Sequence, residues 1–183
     1  MNAYDREIVA AHEAGHFATI AHYGGKHPIY TMRIRIGDRR GGYVRSYTKR
    51  TKPSVFAISN LAGAMWSVLA GVDWDHKDFR LACRTDVQNW YWNKHQLAHG
   101  ENLKAIRKAL SVATSEEISA ADCVILGLGL DDDEVTRGAL VLSARLYKTK
   151  KAFREHVVRE TRRGRQQWGT ALTTEMCDRY FEK

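Results

Sequence analysis

Apolar positions recur at helical spacing from the start of the chain, where Ile8, His12, His16 and Ile20 form an i, i+4 row within a run rich in Ala and Val. Such a row lies on one face of a helix, so the pattern predicts a helix over Asp5 to Tyr23, ended by Gly24-Gly25, where glycine can take the left-handed cap. The period then changes. From Ile29 to Ile36, Met32, Ile34 and Ile36 alternate with Arg33 and Arg35, as in a half-buried strand, and after turn chemistry at residues 37–42 a second short strand is predicted from Tyr43 to Tyr47. Pro53 suits the first turn of the next helix, which carries Ile58, Leu61, Ala62, Met65 and Leu69 up to Gly71.

Val72 to Arg84 is irregular and polar and reads as a loop. Thr85-Asp86-Val87-Gln88 has the form of a capping box, which predicts a helix through Trp90 and Trp92 to about His99, with both tryptophans as packing residues and Asp86 in the first turn. Further helices are predicted from about Asn102 to Ala113, from Glu116 to Leu126 with Gly127 and Gly129 as breakers, from the acidic start Asp131 to Glu134 through Leu146, from Ala152 to Arg162, and from Leu172 to Phe181. The expected fold class is α+β, mostly α, with a small β hairpin or sheet near the first helix. The 183 residues suit one domain, 1–183, with an active-site half of about 1–100 and a helical half of about 101–183.

The polar residues inside the first apolar stripe carry the chemistry. His12-Glu13-Ala14-Gly15-His16 is an HExxH sequence: the two imidazoles lie one turn apart and Glu13 projects into the same sector. Two neutral imidazoles so placed can chelate zinc, and the adjacent carboxylate can serve as general base toward water without being a ligand. Without a shared partner, burying the pair would be costly.

Composition narrows the setting. Among 183 residues the net charge is +8, and two segments account for the excess: Met32 to Lys52 and Arg145 to Arg165 each sum to +7. Both read more simply as solvated faces than as a nucleic-acid surface, because no nucleic-acid-binding signature accompanies them. No apolar run reaches membrane-spanning length, and no signal peptide is evident. Cys83, Cys123 and Cys177 are odd in number and form no CxxC, which argues against a disulfide framework or a cysteine-rich zinc cluster and fits a cytoplasmic location.

A catalytic zinc needs a third protein ligand and an open position. His22 falls where HExxHxxGxxH would place its third histidine, but a helix continuing to Tyr23 turns it away. Asp75, His76, Asp78 and Asp86 remain, and residue chemistry alone favours none decisively, although Asp86 is the one placed at a helix start. His95 and His99 form a second i, i+4 pair, but Gln96 between them cannot act as a base.

The segments VAAHEAGHFATIAH, MRIRIGDRRGGYV, ISNLAGAMWSVLAG and RTDVQNWYW, in that order, resemble the peptidase domain of FtsH-type zinc proteases over about residues 6 to 95. The resemblance implies zinc held by His12, His16 and Asp86, with Glu13 as general base. It departs from the family at Met65-Trp66-Ser67, where an acidic residue is usual. The first helix is expected to begin almost at Met1, so neither an ATPase module nor a membrane anchor is expected before it; a separate ATPase partner would have to supply any unfolding.

The expected function is that of a zinc-dependent endopeptidase that hydrolyses unfolded or flexible polypeptides, without ATP as an isolated chain. An extended substrate is expected to add as a strand to the Arg33 and Arg35 strand or to the Gly41 to Tyr47 segment. The alternative is a noncatalytic, zinc-stabilised interaction protein that binds an acidic partner or nucleic acid through the basic patches.

Overall fold

The computed structural model describes residues 3–24, 33–35, 43–45 and 52–181. Helix α1 (Ala3–Tyr23) lies along α2 (Pro53–Leu69), and α2 is the centre of the molecule. Pro53 occupies the first turn of α2, where its missing N–H costs nothing, and the helix then buries residues on every side, as an almost uncharged helix must. One flank of α2 meets α1; the others meet α4 (Arg84–Asn93), α6 (Ser115–Leu128) and α7 (Glu134–Thr149).

Two apolar clusters result. One joins Leu61 and Met65 of α2 to Phe79, Trp90, Val124 and Leu140. The other joins Phe17 of α1 and Trp66 of α2 to Phe153 of α8 (Lys151–Arg162), Trp168, and Met176 of α9 (Thr170–Phe181). Packing therefore crosses the division near residue 100, because the C-terminal helices return to cover α1.

The structure is α-rich, and most predicted helices lie close to where the periodicity puts them. Helix α5 (Gly100–Ser111) precedes α6, whose start has Thr114 and Glu117 in a reciprocal capping box. The acidic stretch 131–134 is a helix start: Asp133 caps α7 through the Thr136 N–H, Lys94 bridges Asp131 and Asp133, and Arg137 pairs with Asp132. These bonds account for the quartet without a cation.

Several expectations are corrected. Gly127 does not break α6; a Cβ there would lie 2.6 Å from the Trp74 carbonyl oxygen, so glycine admits close packing, and the helix ends at Gly129 in the left-handed conformation (φ 66). Within the predicted loop of residues 72–84 stands a short helix, α3 (Lys77–Ala82), and α4 starts at Arg84 with Cys83 as its N-cap, so Thr85 is already helical. The helical pattern expected to reach His99 changes at Lys94 to a 3₁₀ turn over Lys94–Leu97. Trp90 is a packing residue, fully buried, whereas Trp92 is 74% exposed.

Strand β1 (Arg33–Arg35) pairs antiparallel with β2 (Tyr43–Arg45) in the register Ile34 to Val44. The other side of β1 is taken by β3 (Gln167–Trp168), also antiparallel, which a two-residue strand gives no periodicity to foretell. The added-strand position expected at β1 is thus filled at Ile34 and Arg35; β2 is an outer strand of the described sheet. The turn at 37–42, Gly25, and the remainder of the Met32 to Lys52 basic segment apart from the two strands and Lys52 lie outside the described residues.

Among the described residues no helix is long and apolar enough to cross a membrane. The second basic segment is largely paired: Arg162 with Glu7, Arg163 and Arg165 with Glu160, and Arg154 over the Tyr147 ring.

Candidate metal centre

The site forms where α1, α2 and the start of α4 meet. Close approach of α1 to α2 depends on two glycines. A Cβ at Gly15 would lie 2.6 Å from the Ala62 carbonyl oxygen, and a Cβ at Gly63 would lie 2.6 Å from Nε2 of both His12 and His16. The expected role of Gly15 in close packing is therefore realised against α2.

The proton positions on the two rings follow from what surrounds them. His16 Nδ1 is 2.7 Å from the Ser59 carbonyl oxygen, which can only accept, so Nδ1 carries the proton and Nε2 presents its lone pair. Ser67 Oγ donates to the Gly63 carbonyl at 3.0 Å and so accepts from His12 Nδ1–H at 3.1 Å, leaving His12 Nε2 as a lone pair too. Both neutral rings are oriented by the hydrogen bond on their far side, as histidine ligands of metals usually are.

The two lone pairs converge with a carboxylate. Nε2 of His12 and Nε2 of His16 are 3.1 Å apart, and Asp86 Oδ2 lies 3.1 Å from the first and 3.3 Å from the second. Donors placed about 2.0–2.1 Å from a tetrahedral zinc are about 3.3–3.4 Å from one another, so the triangle matches one face of such a site, slightly contracted. Three acceptors at this separation repel unless a cation or a proton lies among them.

In the metal-free protein a proton can play that part. Burial opposes charge on His12, but hydrogen bonds to Asp86 and Cys83 outweigh it and raise the His12 pKa well above the ordinary histidine value. Burial also opposes charge on His16, and the Asp86 charge outweighs it, with a further upward push from Glu13. Burial pushes the Asp86 carboxyl upward, yet the two histidines overcome this and hold it well below the usual carboxylate range. The side chains of His12, His16 and Asp86 are 13%, 12% and 20% exposed, so the cluster is largely shielded from solvent.

Glu13 is 3% exposed, on the helix face beside His12. Of the aspartates considered from the sequence, the structure brings Asp86 to the histidines; Asp75, His76 and Asp78 are exposed, with His76 and Asp78 close to each other. The His22 ring packs edge-on against Tyr23. His95 lies in the 3₁₀ turn next to the Gln96 amide, and His99 is extended before α5, so these two do not stack as they would on an α-helix.

Sequence reasoning missed Cys83. Beside the His12, His16 and Asp86 triangle, the donor atoms of His12, Cys83 and Asp86 also form a group that could hold a metal, all within 4.8 Å of one another. A signal was present in the spacing: Cys83 and Asp86 are the N-cap and N3 residues of α4, positions whose side chains face each other in a capping box. Ser67 was also missed as a partner; it stands at the place where the FtsH-like pattern was seen to depart.

No family model, no curated protein and no solved structure matches this chain. What fold and site define is an α-rich protein with a candidate centre for a divalent cation, made by three helices.

Proposed function

We propose that this chain is a zinc-dependent endopeptidase of the FtsH-peptidase type, acting on unfolded or flexible polypeptides. One observation carries the proposal: two imidazoles with tautomers set by Ser59 and Ser67 aim their lone pairs, together with the Asp86 carboxylate, at a common point, beside the carboxylate-bearing Glu13. His12, His16 and Asp86 would hold the zinc. When bound, zinc supplies a Lewis acid for the scissile carbonyl and for water. Glu13 takes a proton from the attacking water and returns it to the leaving amine, and its burial keeps the carboxylate from competing solvent.

The shielding of the cluster bears on substrate. A peptide must lie extended to bring a carbonyl to donors this little exposed, and a stable folded protein rarely offers such a segment. Cleavage of a denatured protein is therefore expected, with a folded one spared and no response to ATP. The test is Glu13→Gln, which should retain zinc and fold while losing hydrolysis about 10²-fold to 10⁴-fold. Zinc-loaded protein that cleaves no unfolded substrate, with wild type and Glu13→Gln alike, would favour the noncatalytic interaction protein instead.

A further inference from the structure

We propose that Cys83 is a fourth donor of the same centre and holds it closed in the resting protein. This rests on the reading of the site as a zinc centre and adds a regulatory element to it. The sulfur belongs to a fully buried residue, and its position follows from the chain around it. Cys83 ends α3, with its N–H bonded to the Phe79 carbonyl, and begins α4, where its side chain makes no capping bond. The thiol is thereby directed with Asp86, three residues on, toward His12, and the three donor atoms lie within 4.8 Å of one another.

In a tetrahedral centre a sulfur about 2.3 Å from zinc stands about 3.5 Å from its nitrogen and oxygen neighbours. Toward His12 and Asp86 the observed spacing thus calls for a contraction of up to about 1.3 Å, which a side-chain rotation supplies. A thiol that coordinates zinc gives up its proton and binds as thiolate. His12, His16, Asp86 and Cys83 would then complete four-coordination, the arrangement of a structural site, whereas hydrolysis needs one position open. Cys83 must leave for the endopeptidase to act. The element that carries it is suited to movement: of the six residues of α3 only Phe79 is buried, and Leu81 is 65% exposed.

The test is X-ray absorption at the zinc edge on the full-length wild type, followed by the Cys83→Ser variant. One sulfur at about 2.3 Å is expected in the wild type and none in Cys83→Ser, which should keep its zinc and cleave a denatured protein several-fold faster. A shell of nitrogen and oxygen alone in zinc-loaded wild type overturns the Cys83 assignment and leaves the three-donor centre standing. Sulfur that persists in Cys83→Ser overturns it as well, by pointing to Cys123 or Cys177. A zinc-loaded Cys83→Ser no faster than wild type, when wild type itself cleaves, overturns the closing role. Sulfur at the zinc with no cleavage by either protein supports the fourth donor while removing the endopeptidase reading. Failure of the wild type to retain any zinc overturns both. Should Cys83→Ser not fold, the spectrum of the Cys123→Ser, Cys177→Ser double variant decides: retained sulfur assigns Cys83, and lost sulfur overturns it.

Discussion

Nε2 of His12 and Nε2 of His16 face each other at 3.1 Å, and neither carries a proton in its neutral ring, because each ring commits its N–H to the opposite side: His16 to the Ser59 carbonyl, His12 to the Ser67 hydroxyl. Acceptors this close repel unless a proton or a cation lies among them, and four consequences can be measured.

The first concerns Ser67. Ser67→Ala removes the acceptor for His12 Nδ1–H and frees the ring to turn or change tautomer. Zinc affinity is expected to fall about 10-fold to 100-fold, with the fold retained, when measured by competition with a chelator of known strength. Unchanged affinity would mean that packing alone orients His12.

Gly63 gives the second. The methyl group of Gly63→Ala would stand 2.6 Å from both Nε2 atoms, so either the helices separate or the rings move. Overpacking of this kind costs about 1–3 kcal/mol, and zinc retention should be lost with it. Gly169→Ala is the control, since nothing lies within 4 Å of the added carbon; it should leave both thermal stability and zinc content near wild type.

Asp86 is the third. One zinc per chain is expected, strongly reduced by His12→Ala or His16→Ala because a three-donor site does not survive loss of one imidazole. Asp86→Asn keeps the shape but removes the anionic donor, so it should weaken zinc binding and lower hydrolysis, while the exposed Asp75 and Asp78 tolerate the same change. Metal analysis of the purified variants decides, and a sensitive Asp75 or Asp78 would displace Asp86 as the third ligand.

The fourth is a pH dependence. In the metal-free protein the raised His12 and His16 pKa values contribute stability that is fully present below the ordinary histidine value of about 6.5 and is lost as pH rises through their folded values. The lowered Asp86 pKa contributes stability present above the ordinary value of about 3.9 and lost as pH falls through its folded value. The site therefore favours the metal-free fold most between about pH 4 and 6.5. Zinc requires neutral imidazoles, so the gain in Tm on adding zinc should grow from about pH 6 to pH 8, as the proton it displaces becomes scarce. Thermal melts with and without zinc across that range measure it; a gain that shrinks with rising pH would exclude His12 and His16 as ligands.

Much of this protein is local, and what is local was legible. The i, i+4 row from Ile8 to Ile20 requires only helical geometry to put His12, Glu13 and His16 in one sector, and Pro53 and the acidic start of α7 mark their helices through neighbours a few residues away. The residue pattern left four candidates for the third ligand open, with Asp86 the one at a helix start, and the FtsH-like resemblance pointed to it; only the entry of α4 beside α1, across 74 residues of chain, brought its oxygen to the histidines. Ser59, Gly63 and Ser67 look like ordinary residues of an apolar helix; the crossing of α1 on α2 makes them a proton acceptor, a space and a second acceptor. Cys83 shows the same division. A short helix unforeseen in an irregular segment ends there and a longer one begins, and that junction, invisible to periodicity, turns a buried thiol toward His12 and Asp86. Side-chain period is a property of one element, whereas convergence of lone pairs is a property of how several elements meet.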